Sequence, residues 1–429
     1  MKRSLLAVLF MTVVWLSAIG LSLPLTAQAL DRADSFEPQT VVAAMIGQVQ
    51  SSQVYSYNAQ LSGEVPVLIG GVPYTITTRN TGSGVPIQQA TQFVFEHLQQ
   101  LGLAVSYHNW TNCGRSNRNV VGVLTGTLTP NEIVVITAHL DDMPSTGRAP
   151  GADDNASGSV GVMLAAEIMK DYRFERTVRY VFFTGEEQGL CGSKAYVATV
   201  STRGDDIIAV YNMDMIAYDS TGGPTLRLHT RPTSNPGYAG DLAIAGVFTN
   251  VVAAYGMNLT PIIAADGESA SDHSSFWNVG YAAILAIEDD YDDFNAYYHT
   301  SNDNLAHINL TYFTNFVKAS VGTAAHLARP LGAVLQGTVS DINATRLISG
   351  AHIIATAGVT HTGSAVTDGS GRYQLRLPDG SYTLTATAYG YAPFSVTGVQ
   401  VQTGFTTTQN ITLMSALRYA TFLPMLRRD

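Results

Sequence analysis

Cysteine is nearly absent from this 429-residue chain, which holds only Cys113 and Cys191. Two cysteines are no disulfide framework and lack zinc-ligand spacing, so the fold must rest on a packed core; in an oxidising compartment the two could still pair. Positive charge is also scarce. Lys and Arg number 23 against 33 Asp and Glu, which gives a formal net charge of -10 and a pI near 5.4. That deficit argues against nucleic acid and against anionic membrane surfaces as partners. Beyond the N-terminal segment no apolar run is long enough to span a bilayer.

What is present is ample material for a core. Hydrophobic residues make up 46% of the chain, which excludes general disorder. The length is too great for one ordinary core, so about two domains are expected. Lys2 and Arg3, the apolar stretch Leu5 to Leu21 and then Ala27-Gln28-Ala29 read as the three parts of a secretion signal. Residues 1–29 are therefore expected to be removed, leaving a protein secreted to an extracellular or periplasmic space with no stable membrane association. An uncleaved anchor is the alternative. Residues 30–40 form a polar lead-in.

The stretch Val134 to Gly158 organises the rest of the chain. The β-branched run Val134 to Ala138 ends in His139 and Asp141, and a Pro/Gly-rich loop leads to Asp153-Asp154 at the start of a helix. The strand-like run Thr177 to Thr184 ends in Gly185-Glu186-Glu187, and Asp206 to Tyr211 ends in Asn212-Met213-Asp214. The buried-strand pattern Gly280 to Ile287 is followed by an acidic loop and Tyr298-His299-Thr300. A helix whose apolar positions include Ala90, Val94 and Leu98 precedes them, with His97 on its polar side. Such alternation predicts an α/β domain over residues 41–330, with a mostly parallel central sheet flanked by helices. Ligands of such sheets collect outside the carboxyl ends of the strands, so His139, Asp154, Glu186, Glu187, Asp214 and His299 are expected to converge there.

Imidazoles plus carboxylates, one of them able to bridge, are the donor set of a hydrolytic zinc site, and a free carboxylate beside it can move a proton. Singly each signal is ordinary: a Glu-Glu pair is usually a solvated turn and Asp-Asp before a helix is commonly a cap. Together, and each after an apolar strand, they point to metal-dependent hydrolysis.

With these motifs the chain resembles the secreted bacterial zinc aminopeptidases of the leucyl aminopeptidase type, members of the co-catalytic dizinc exopeptidases. The resemblance runs from about residue 41 to 330 and includes Arg79-Asn80-Thr81-Gly82-Ser83. It implies two zinc ions, with His139 and Asp214 on one, Glu187 and His299 on the other, and Asp154 bridging both. Glu186 would be the general base, and Asp141 would orient His139 from behind. A cis peptide after Asp154 is implied as well. Peptide or protein N-termini would be the substrate.

One departure stands out. Ahead of Ser271-Asp272-His273 the relatives carry a tyrosine that helps polarise the substrate carbonyl, with a disulfide nearby; here the segment reads Gly267-Glu268-Ser269-Ala270. Glu268 could face the substrate's amino group or simply be a solvated loop residue, and His273 is read as structural. Three other functions stay open: a carboxypeptidase of the same clan, a single-zinc glutaminyl cyclase, and a non-catalytic binding protein.

From about Val334 the pattern changes to short alternating strands. Tyr373, Leu375 and Leu377 alternate, as do Tyr382, Leu384 and Ala386, with turns at Asp368-Gly369-Ser370-Gly371 and Pro378-Asp379-Gly380. Residues 334–414 are thus expected to form a small β-sandwich, and they resemble the carboxypeptidase regulatory-like domain. Its partner is unknown. Residues 415–429 form a tail with no assigned role.

Overall fold

The computed structural model describes Phe36 and residues 38–416, except 344, 345, 359, 378, 403 and 404. The proposed signal segment, residues 1–29, lies outside the described residues, as do most of the lead-in and the tail. Within residues 38–330 the elements are α1 (Thr40–Gln48), α2 (Ser51–Leu61), β1 (Val67–Ile69), β2 (Val72–Tyr74), α3 (Val85–Gln100), β3 (Ala104–Asn112), β4 (Arg115–Leu124), β5 (Thr129–His139) and α4 (Ala156–Met169). They continue with β6 (Arg176–Phe183), α5 (Cys191–Arg203), β7 (Asp206–Met213), β8 (Thr225–His229), α6 (Tyr238–Ala254), β9 (Thr260–Ala264), α7 (His273–Trp277), β10 (Ala283–Glu288) and α8 (Leu310–Ala328).

An eight-stranded sheet runs in the order β3-β4-β6-β5-β7-β10-β8-β9. Its centre is parallel, from β6 through β5 and β7 to β10. Antiparallel pairings flank that centre, β3 with β4, β4 with β6, and β10 with β8, so the whole is a mixed sheet. The β3–β4 pairing follows from a two-residue connection at Cys113 and Gly114, both with positive φ (52° and 70°), a geometry that matches the twist of a hairpin.

The central strands explain the unbroken apolar run in the sequence. Val134, Ile136 and Ala138 of β5 enter the larger core, packed under the faces of α1, α4, α6 and α8, while Ile133 and Val135 enter a second core with Tyr196, Val197 and Phe276 from α5 and α7. A strand covered on both faces has no polar side to show. Burying a Val or Ile side chain of this kind contributes about 1.5–3 kcal/mol.

Helix α4 starts where Asn155 accepts a hydrogen bond from the backbone N–H of Gly158 at 2.8 Å. Gly158 must be glycine, because a Cβ there would lie 2.5 Å from the Met213 carbonyl oxygen at the end of β7. The glycine thus lets the helix N-terminus press against the neighbouring strand, which brings the loops after β5 and β7 together.

His97 does not lie on an open surface. Its ring packs edge-on against Tyr57 with centroids 5.3 Å apart, its Nε2 is buried without a partner, and burial lowers its pKa. Helix α2 covers that side of α3, a contact that periodicity within α3 could not reveal.

The remaining strands are β11 (Ala333–Asp341), β12 (His352–Ala357), β13 (Thr360–Val366), β14 (Arg372–Leu377), β15 (Gly380–Thr387), β16 (Phe394–Val401), β17 (Thr406–Thr408) and β18 (Ile411–Leu413). They form two sheets, β14-β11-β17 with β18 also on β11, and β13-β12-β15-β16. Tyr373, Leu375 and Leu377 face Ile353, Leu384 and Ala386 across a separate apolar core. This is a sandwich built by period-two alternation. Among the described residues no helix is long and apolar enough to cross a membrane.

Candidate metal centre

The motif residues gather at one edge because β6, β5, β7 and β10 are adjacent and parallel, so their carboxyl ends share that edge. The chain leaves β5 toward β6 on one side and later returns to β7 on the other, which opens a crevice beyond the end of β5. His139 is the last residue of β5, Glu186 and Glu187 follow β6, Asp214 follows β7, and Asp154 precedes α4. His299 arrives from the long loop after β10, with φ +59°.

In that crevice His139 Nε2 lies 3.0 Å from Asp214 Oδ1 and 3.3 Å from Asp154 Oδ1. On the other side of Asp154, His299 Nε2 lies 3.2 Å from Asp154 Oδ2 and 2.8 Å from Glu187 Oε2. Two triads result, His139/Asp154/Asp214 and Asp154/Glu187/His299, each with potential ligand atoms within 4.8 Å of one another. Asp154 belongs to both. Glu186 belongs to neither, although its backbone N–H reaches Asp141 Oδ1 at 3.3 Å.

The donor set fits divalent metal. Asp154 Oδ2 and His299 Nε2 are buried and make no aligned hydrogen bond although they lie 3.2 Å apart, and Glu187 Oε1 is likewise buried without one. Atoms that converge without hydrogen-bond alignment are aimed at a shared point, and imidazole with carboxylate is a zinc donor set.

The electrostatics point the same way. Burial pushes the Glu186 carboxyl well above its usual range; the charges of Asp214, Asp272 and Glu187 push it further, against the pull of His139. Glu187 rises to about 8, chiefly through burial and then through Asp154. Burial opposes charge on His139 and His299, yet the surrounding carboxylates win and both are raised, His299 to about 10. Burial would raise Asp154 too, but the two histidines hold it far below the usual carboxylate range. Such crowding of acids is relieved when cations occupy it.

Around the triads a scaffold fixes these side chains. His139 Nδ1 faces the Asp141 carbonyl oxygen at 3.1 Å and the Asp141 carboxylate at 3.8 Å. The Asp141 carboxylate accepts from the Thr81 hydroxyl at 2.9 Å. Arg79 is wholly buried; its guanidinium donates to the carbonyls of Leu61, Leu140, Pro150 and Gly151, and its N–H to Asp142. The segment 79–81 thereby staples the loop between β5 and α4 into place. Asp303 accepts from the backbone N–H groups of Asp153 and Asp154 at 3.0 and 2.9 Å, and the Asp154–Asn155 peptide is cis, as the resemblance implies.

Sequence reasoning missed several partners. Ser271 donates to Asp214 Oδ2 at 2.6 Å, and nothing in its Ser-Asp-His context marks that contact. Asp272 is fully buried, and burial raises its carboxyl to about 7. Tyr298 stacks on the His299 ring with centroids 3.6 Å apart; burial and then the charges of Asp154 and Glu187 push its phenol up. Its signal was in view, a tyrosine immediately before the His-Thr pair. Glu268 turns back on its own loop, accepting from the N–H groups of Ser269 and Ala270 at 2.7 and 2.8 Å. His273 is buried with Nε2 on the Glu268 carbonyl at 2.8 Å, a structural placement. Cys113 and Cys191 form a disulfide that ties the β3–β4 turn to the start of α5.

Comparison with known proteins agrees with this architecture. The chain is 30% identical over 218 residues to leucine aminopeptidase 1 of Trichophyton rubrum, a match covering 46% of this chain and 55% of the relative. It thus spans about half the length of the curated relatives it matches. Among solved structures, the LapA aminopeptidase of Legionella pneumophila superposes with a TM-score of 0.58 at 23% identity, covering 69% of this chain and 75% of that one. The zinc aminopeptidase BSAP of Bacillus subtilis does so with 0.55 at 15% identity, covering 66% and 96%. At such identities these structures establish the fold. Residues 119–324 match "Peptidase family M28" and residues 334–414 match "Carboxypeptidase regulatory-like domain". Residues 119–324 are thus similar to peptidase family M28, and residues 334–414 to the carboxypeptidase regulatory-like domain.

Proposed function

We propose that this protein is a secreted aminopeptidase that uses two zinc ions to remove N-terminal residues from peptides. The observation that carries the reading is Asp154 shared between two imidazole–carboxylate triads with Glu186 beside both and inside neither. His139 and Asp214 would hold one zinc, Glu187 and His299 the other, and Asp154 would bridge. When bound, the ions supply Lewis-acid polarisation of the scissile carbonyl and a lowered pKa for the attacking water.

The chain's own residues do the rest. Glu186 takes the proton of the water as its oxygen bonds to the carbonyl carbon. When the C–N bond breaks, Glu186 returns that proton to the departing amine, so it ends as it began. Asp141 and Thr81 keep the His139 ring in one orientation, and Ser271 does the same for Asp214. Tyr298, stacked on the His299 ring, would donate its phenol O–H to the carbonyl oxygen, in the role for which Gly267 to Ala270 holds no tyrosine. Secretion is supported by the Cys113–Cys191 disulfide, which persists in oxidising compartments.

A carboxypeptidase would need a cation for the terminal carboxylate, and Arg79 is buried and fully engaged by carbonyls and Asp142. A single-zinc cyclase would leave His139 and Asp214 without a metal. The deciding experiment strips the mature protein with chelator, restores zinc, and offers matched peptides with free or blocked ends. Cleavage that needs zinc and a free amino end supports the proposal; cleavage that needs a free carboxyl end reverses its direction, and zinc binding without cleavage removes it.

A further inference from the structure

Strand β8 places a histidine outside both triads, between two loops that lead toward them. Leu226 and Leu228 point into the main core, so Arg227 and His229 point to the opposite face, beneath the acidic run Glu288-Asp289-Asp290-Tyr291-Asp292-Asp293. His229 is fully buried. Its Nδ1 lies 3.0 Å from Asp266 Oδ2 and its Nε2 lies 3.2 Å from Asp290 Oδ2. A neutral imidazole has one N–H and can satisfy one of these carboxylates; only the imidazolium donates to both.

The surroundings favour that charged form. Arg227 is the one other cation of the cluster, pairing with Asp289 at 2.9 Å, Asp292 at 3.0 Å and Asp290 at 3.6 Å, with its guanidinium over the Tyr291 ring. Four carboxylates thus face two cations. Tyr291 closes the cluster by donating to Asp266. From α7 the buried ring of His273 also faces the group, held to the Glu268 carbonyl and kept neutral by burial. Burial opposes charge on His229 as well, but Asp290 and Asp266 outweigh it and raise its pKa.

Asp266 and Asp290 stand at the roots of the two loops that flank the metal centre. Residues 265–272 lead to Ser271, hydrogen-bonded to Asp214, and residues 289–299 lead to Tyr298 and His299. We propose that His229 is a positioning residue, an imidazolium clamp that ties these two loops together and holds Ser271 and His299 in working register. Deprotonation releases one of the two carboxylates, so the clamp is complete below about pH 6.5. It is lost as pH rises through the raised folded-state value. The consequence for turnover rests on the aminopeptidase reading; the clamp itself does not.

The test uses the full mature chain loaded with zinc, in wild-type, His229→Gln and Asp266→Asn forms. Hydrogen exchange of residues 265–272 and 289–299 is followed with pH, beside kcat, KM and zinc content with an N-terminal leucine peptide. The expected result is faster exchange in both loops of each variant at neutral pH, and in wild type only as His229 titrates. kcat should fall by about 10-fold, the size of one charge-assisted hydrogen bond, with zinc content unchanged and the alkaline limb of the wild-type profile lost. Equal exchange in variants and wild type, or an unchanged pH profile, overturns the clamp. If His229→Gln fails to fold, Asp266→Asn still removes one arm. If wild type cleaves nothing, the aminopeptidase reading fails while the exchange data still decide the clamp.

Discussion

The edge of the mixed sheet and the β-sandwich are two ways of building with strands, and they differ most in what they bury. At the sheet edge His139, Asp141, Asp142, Asp153, Asp154, Asp272, Glu288 and Asp303 all lie nearly or fully out of solvent. Among the described residues of the sandwich, Asp341 and Thr367 are the buried polar groups, and its centre is Leu, Ile, Val, Ala and Tyr. Burying ionisable groups is unfavourable unless each finds partners, so stability alone does not explain the first arrangement. The difference teaches where the chemistry resides: one region is stable because of its side chains, the other is stable in spite of them.

That contrast can be broken by substitution. The largest effect is expected from Glu186→Gln, which should lower kcat by about 10²–10⁴-fold while zinc content stays at the wild-type level, measured by metal analysis beside turnover. A parallel loss of zinc would move Glu186 from proton carrier to ligand. Next comes Arg79→Met, which leaves Asp142 buried without its cation and strands four carbonyls. It should cost about 3–5 kcal/mol in urea unfolding followed at the α/β domain. In the sandwich, Leu384→Ala should cost about 2–5 kcal/mol through the cavity it leaves, with kcat unchanged. A drop in kcat would show that the sandwich supports the metal centre. The smallest effect belongs to Val366→Ala, an exposed strand position of the sandwich, which should stay within about 0.5 kcal/mol of wild type by thermal unfolding.

Much of this was legible in the chain. The run Val134 to Ala138 and the turns after β6 and β7 announced parallel strands with carboxylates at their ends, because strands buried on both faces have an unmistakable composition. Tyr373, Leu375 and Leu377 announced the sandwich, because period two is visible over a few residues. The antiparallel strand β3 was less visible, since Ala104 to Asn112 mixes polar and aromatic residues on a flank of the sheet. Strands β8 and β9 carry too short a pattern to read, because each is only five residues long. Ser271 and Asp303 hold Asp214 and the backbone of Asp154 from loops whose course no local pattern encodes.

The sequence by itself determined the chemistry on offer: which residue types stand at strand ends, the acidic balance, and the two-part division of the chain. Only the tertiary structure decided how those residues meet. Whether Asp154 faces two imidazoles, whether Arg79 is a surface cation or a buried staple, and whether His229 stands alone in the core or between Asp266 and Asp290 all depend on loops brought together from distant positions. Local pattern is set by each residue's own preferences, whereas these encounters are set by sheet order, and sheet order is a property of the whole fold.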